Sequence, residues 1–106
     1  MSKKNQNTKN LFFNDISNDC MECKDHKYNL DFNDKVLFDK SIKAEPNNIA
    51  IIKNYQDDYN TVLLKETANN ELVGIYINPK YKDTVIDIKE VIGIGTKKLS
   101  NIRCFR

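Results

Sequence analysis

From Thr61 to Gly95 the chain alternates apolar and polar side chains with the two-residue period of a half-buried strand, and no other feature restricts its fold as strongly. The apolar positions are Val62 and Leu64, then Val73, Ile75 and Ile77, then Ile86, Ile88, Ile92 and Ile94. The polar stretch Thr67–Glu71 separates the first two runs, and Asn69 or Asn70 there can take the left-handed conformation that a hairpin reversal needs. Asn78–Asp83 separates the second from the third, with Pro79 unable to donate to a ladder. A three-stranded antiparallel meander is expected.

Upstream, Ile49, Ile51 and Tyr55 fall on one face of a further strand and Ala50 and Ile52 on the other, so that strand should be central or well covered. Tyr28, Leu30 and Phe32, then Val36, Phe38 and Ile42, alternate on either side of Asn33-Asp34 and read as a hairpin, with a short helix over Lys35 to Lys43 as the alternative. Leu11-Phe12-Phe13 is a short apolar cluster suited to a strand or an anchor, with core packing the plainer role. Ser17–Asp19 offers helix caps, so at most one short helix is expected near residues 17–26. Pro46 and its Asn neighbours make a turn, and Gly93 and Gly95 suit a bend or bulge closing a barrel.

At 106 residues there is room for one modest core. The expected fold is mainly β, a small antiparallel sheet or partly open barrel of 5–7 strands. Residues 1–10 are expected to form a disordered polar tail, and 11–106 a single domain. No stretch reaches the roughly 20 apolar residues of a membrane span, and the polar N-terminus lacks the apolar core of a signal peptide. A cytoplasmic protein with reduced thiols and no membrane partner is therefore expected. The 15 Asn and 15 Lys, against two Arg, point to an AT-rich genome, such as that of a low-GC bacterium, a phage, a virus or a parasite. A net charge of +2 selects neither nucleic acid nor membrane by field strength.

The densest chemistry is Cys20-Met21-Glu22-Cys23-Lys24-Asp25-His26. Two thiolates two residues apart can grip one zinc ion, and His26 and Cys104 would complete a structural tetrahedron. A single CxxC is a weak signal, and ordinary thiols are the plainer alternative. No Ser/His/Asp set, phosphate cradle or nucleophile elbow is present, so no catalytic residue is assigned and a non-enzymatic protein is expected. Lys80, Tyr81 and Lys82 pair a stacking ring with two cations, and Lys97, Lys98, Arg103, Phe105 and Arg106 supply a second basic and aromatic group. They are candidate contacts for single-stranded RNA or DNA, or for another partner.

Leu64-Lys65, Asn70, Leu72 and Gly74 resemble the strand–turn–strand of Sm-type barrels. The resemblance covers that segment alone, without the family's second motif. It implies a small five-stranded sheet that curls and often assembles into rings, which makes a homo-oligomer a further expectation.

The function that needs no missing chemistry is protein binding through an exposed strand edge, by a small phage- or virus-type inhibitor or accessory subunit that occupies a partner's surface. A small nucleic-acid-binding barrel, or a zinc-stabilised adaptor using Cys20, Cys23, His26 and Cys104, are the alternatives.

Overall fold

A computed structural model of the protein describes residues 10–99. Seven strands form one open antiparallel sheet: β1 (Leu11–Asp15), β2 (Lys35–Asp39), β3 (Ile49–Lys53), β4 (Tyr59–Glu66), β5 (Leu72–Ile75), β6 (Val85–Asp87) and β7 (Glu90–Leu99). Their spatial order is β1-β2-β7-β3-β4-β5-β6. Among the described residues the only helical piece is a 3₁₀ turn at Pro79–Tyr81, which Asn78 caps by accepting from the Lys80 N–H.

The meander β4-β5-β6 is present, but the third expected run is not one straight strand. Ile88 and Lys89 interrupt it, and the chain leaves the edge strand β6 to enter β7 at the middle of the sheet. Three Cα–Cα steps from Asp87 to Glu90 reach about 11 Å. Four interstrand spacings of a flat sheet would separate β6 from β7 by about 19 Å. The register adds an offset along the strands, because Asp87 aligns through Val73 with Lys65, whereas Glu90 aligns through Lys53 with Tyr59. The five strands from β7 to β6 therefore have to curl and coil, with strands tilted as in a barrel. The curl runs toward the face carrying Ala50, Ile52, Val62, Leu64 and Ile94, where Ile86, Ile88 and Val91 pack.

Two bulges in β7 help it serve two neighbours. One lies opposite Ile51 and Ile52, between Gly93 and Val91, and turns Ile92 to the other face from Ile94. The expected placement of those two isoleucines together is thus corrected. The other skips Thr96, whose hydroxyl donates to the Leu37 carbonyl at 3.1 Å. Bulges do fall at the Gly93–Gly95 stretch, within a sheet that stays open.

The hairpin expected across Asn33-Asp34 is also corrected. Residues 28–32 join no strand; β2 pairs instead with β1, and residues 16–34 form a long cover over the convex face. Alternation is met there by turns, with the Leu30 N–H bound to the Met21 carbonyl and the Asn33 N–H to the Ile16 carbonyl. Near residues 17–26, where at most one short helix was expected, the chain makes single turns, closed by Glu22 on Asp19, His26 on Cys23 and Asn29 on His26. Ile16, Met21 and Leu30 bury themselves against Val36, Phe38, Ile49, Ile51 and Leu63, and Phe12 stacks on Phe38. β3, buried on both faces between β7 and β4, is the central strand expected, although Tyr55 lies beyond its end and is exposed.

Turns and close contacts divide the labour between residue types. Asn33, Asn47, Asp57 and Asn70 hold positive φ, and no glycine does. Asn70 reverses β4 into β5, while Pro46-Asn47 sits at the centre of a turn closed by the Asn48 N–H on the Glu45 carbonyl. The glycines relieve crowding instead. A Cβ on Gly74 would lie 2.7 Å from Val62 Cγ2, on the concave side where a β-branched neighbour cannot swing away. Gly74→Ala is expected to lower stability by about 1–3 kcal/mol in denaturant unfolding. Val62→Ala made in the same chain should recover part of that loss, as a non-additive pair.

Candidate functional site

Three places bring reactive or sticky groups together. The first ties the cover segment to the β5–β6 connection. Asp19 accepts a hydrogen bond from the Tyr81 hydroxyl at 2.7 Å and pairs with Lys80 at 3.3 Å, while its carbonyl accepts from the Asn78 side chain at 2.7 Å. The Asn78 N–H donates to the Cys20 carbonyl at 3.0 Å. The Tyr81 hydrogen bond, with help from Lys80, holds the Asp19 carboxyl below the usual carboxylate range, although partial desolvation opposes it. Those same bonds raise Lys80 and Tyr81. Two of the three expected binding residues on this loop are therefore engaged by an acid of the protein itself, and Lys82 caps the 3₁₀ turn with its N–H.

Next to this clamp, burial pushes the Cys20 thiol up, and the Asp19 charge adds to the rise; a hydrogen bond with Tyr76 works the other way. Tyr76 in turn accepts from the Asn60 amide at 3.1 Å. Cys23 donates its N–H to Asn29 Oδ1 at 2.6 Å, and His26 Nδ1 accepts from the Tyr28 N–H at 3.0 Å. Among the described residues no three His, Cys, Asp or Glu side chains converge on one point. Cys104 lies outside the described residues, as do Arg103, Phe105 and Arg106.

The second place is a cavity of about 230 Å³ beside the outer half of β7, lined by Tyr28, Leu30, Val36, Ile49 and Gly95, with Lys27, Lys97 and Lys98 at its margin. Lys98 reaches the Asn29 carbonyl at 3.1 Å and buried Asp34 at 3.6 Å. The expected basic groups are thus split, Lys97 and Lys98 on β7 and Lys80–Lys82 on the β5–β6 connection, with β3 and β4 between. Lys27 and Tyr28 line the same cavity as Lys97 and Lys98, a proximity that no sequence spacing announces.

The third is the outer edge of β1. The Lys40 N–H donates to the Asn10 carbonyl and the Ile16 N–H to the Asp34 carbonyl, both at 2.8 Å, which brackets the ladder between β1 and β2. By the alternation of an antiparallel pair, Phe12 and Asn14 bond to β2, and the backbone groups of Leu11, Phe13 and Asp15 point outward. Among the described residues no strand lies on that side. Phe13 is 52% exposed and Leu11 38%, on the same face as Leu37, which is opposite Phe13, and as exposed Leu99. Only Asp15 carries charge on β1, and Lys35 pairs with it at 3.1 Å. No protein-family model matches the chain, and no curated protein sequence matches it.

The depressed Asp19 value has a definite sign. Its contribution to stability is present above the usual carboxylate range and is lost as pH falls through the folded value. In Tyr81→Phe the Asp19 midpoint, followed by carboxylate NMR, should move up toward the ordinary value. Alkylation mapped by mass spectrometry should find Cys20 slower than Cys23 at mildly alkaline pH, and Asp19→Asn should narrow the difference.

Proposed function

We propose that this is a non-enzymatic protein-binding module that captures an extended segment of a partner protein on the open edge of β1. The observation that carries the reading is the outward ladder of Leu11, Phe13 and Asp15, set beside exposed Phe13. Edge strands are ordinarily blunted by lysine, proline, a bulge or extreme shortness, because an unpaired row of N–H and C=O groups recruits other strands. The opposite edge, β6, fits that rule with three residues ending in Asp87. β1 has five residues in unbroken register with β2, no proline, no bulge and no lysine. A strand added there would receive main-chain hydrogen bonds from alternate residues and could lay apolar side chains over Phe13, Leu11 and Leu37.

Binding of this kind needs no catalytic group, and occupying a partner's strand is enough to inhibit it or to join it to an assembly. Hydrogen exchange tests the mode of contact. In the isolated protein the Phe12 and Asn14 amides should exchange slowly, and those of Leu11 and Phe13 fast. A partner recovered from the native cell should slow the latter two. Phe13→Lys should abolish capture and leave the melting temperature nearly unchanged. Equal capture by wild type and Phe13→Lys, or unprotected Leu11 and Phe13 amides in the complex, would contradict the reading.

A further inference from the structure

The cavity beside β7 goes beyond the edge reading and uses no residue of β1. Its floor is apolar: Leu30, Val36 and Ile49 belong to the convex-side core, and Gly95 keeps the floor open. A Cβ on Gly95 would stand 3.1 Å from Ile49 Cγ2 and 3.4 Å from Val36 Cγ1. Tyr28 supplies an aromatic wall, and Lys27 lies over its ring at 5.0 Å from the centroid. Three lysines stand at the margin, and no carboxylate lines the cavity. Lys97 is in register with Leu37 and so turns its side chain to the other face, whereas Lys98 shares the face of Val36. Lys98 is partly neutralised by Asp34, and Lys27 has no ion-pair partner among the described residues.

Asn47 and Asn48 complete the lining. Asn47 Oδ1 already accepts from Lys65 at 2.9 Å and Asn48 Oδ1 from the Glu45 N–H at 2.9 Å. Each amide therefore keeps its –NH₂ as a donor for a ligand. A cavity of about 230 Å³ is smaller than the roughly 300–1,000 Å³ that encloses a drug-sized molecule, so it takes one ring system and leaves the rest of the ligand outside. The ligand that matches all of these is flat, carries acceptors on its edge and bears a negative charge one bond system away.

We infer that this cavity binds a nucleoside monophosphate unit, with the base against Tyr28 and the apolar floor, its carbonyl edge toward Asn47 and Asn48, and the phosphate at Lys27, on the side of Lys98. A bare phosphate would leave the floor in water, and a neutral apolar ring would leave the cations and amide donors unused. A free nucleotide and one position of a single strand both present this unit, with the same base and phosphate.

Amide NMR titration of the full chain with uridine monophosphate, uridine, inorganic phosphate and a short oligouridylate tests the site and separates the sources. Uridine monophosphate should shift the Tyr28, Asn48 and Gly95 signals, and uridine should do so more weakly. Tighter binding of the oligomer than its number of units explains, falling steeply with salt, assigns a strand; equal affinity per nucleotide assigns the free nucleotide. Tyr28→Ala should weaken binding about 5- to 100-fold through lost stacking. Lys27→Glu, at an exposed position, should weaken it while leaving the fold intact. Absence of shifts at millimolar ligand and low salt would overturn the inference. So would identical shifts with inorganic phosphate alone, or unchanged affinity in the folded Lys27→Glu and Tyr28→Ala variants.

Discussion

The two-residue link Ile88-Lys89 imposes the condition that the remaining elements satisfy. It hands the chain from the edge strand β6 to β7 in the middle of the same sheet, over a reach shorter than a flat sheet would allow. Curling solves the geometry and at once creates an inside. Ala50, Ile52, Val62, Leu64 and Ile94 are drawn together with Ile86 and Ile88, and on that crowded side Gly74 admits Val62. β6 and β7 run in the same direction, each antiparallel to its own partner, so they are two halves of one bent path. β7 can then reach past β3 to pair with β2, and β2 brings in β1.

Curling toward one face leaves the other with Ile49, Ile51, Leu63, Val36 and Phe38 to be covered. The segment from Ile16 to Asp34 covers it, with Met21 1% exposed at its centre. Such a segment has few ladder bonds of its own, and its position is fixed by side chains: Asp19 and Asn78 at one end, Asp34 with Lys98 and the Asp31 N–H at the other. Cys20, Cys23 and His26 lie on this cover, and their observed hydrogen bonds help shape its turns. Asp19, Asp34, Lys80 and Lys98 are thus engaged in holding the cover, and the β1 edge and the cavity at the cover's margin stay open.

The sequence made the central strand legible because β3 is apolar on both faces, and it made the reversal at Asn70 legible because few residues accept positive φ. The break at Ile88-Lys89 was hidden for a physical reason. Period-two alternation reports which way side chains point, and a strand that bends without reversing keeps that rhythm while changing its partner. Alternation also produced a hairpin at 28–38 where none exists: a strand would put Leu30 and Phe32 on one face, but turns bury Leu30 and leave Phe32 exposed. Asp19 looked like any of many surface acids, since its partners Asn78, Lys80 and Tyr81 are some sixty positions away. Asparagine abundance read as codon bias also has a structural use, because three of the four positive-φ residues among those described are asparagines.

β1 and the cavity share the outer half of the sheet but use opposite faces of it. Val36 and Gly95 open to the cavity, whereas Leu37, between them and Phe13 in the ladder, faces the other way with Phe13. The Thr96 bulge keeps these two faces in phase across β2 and β7, since without it every residue of β7 beyond Gly95 would swap sides. Lys98 could then no longer meet Asp34, and Leu99 would leave the apolar strip beside β1. The hydroxyl of Thr96 on the Leu37 carbonyl is therefore a small bond with a large reach: it accompanies the bulge that puts Lys98 on the side of Asp34 and the cavity, and Leu99 on the side of Leu37 and Phe13.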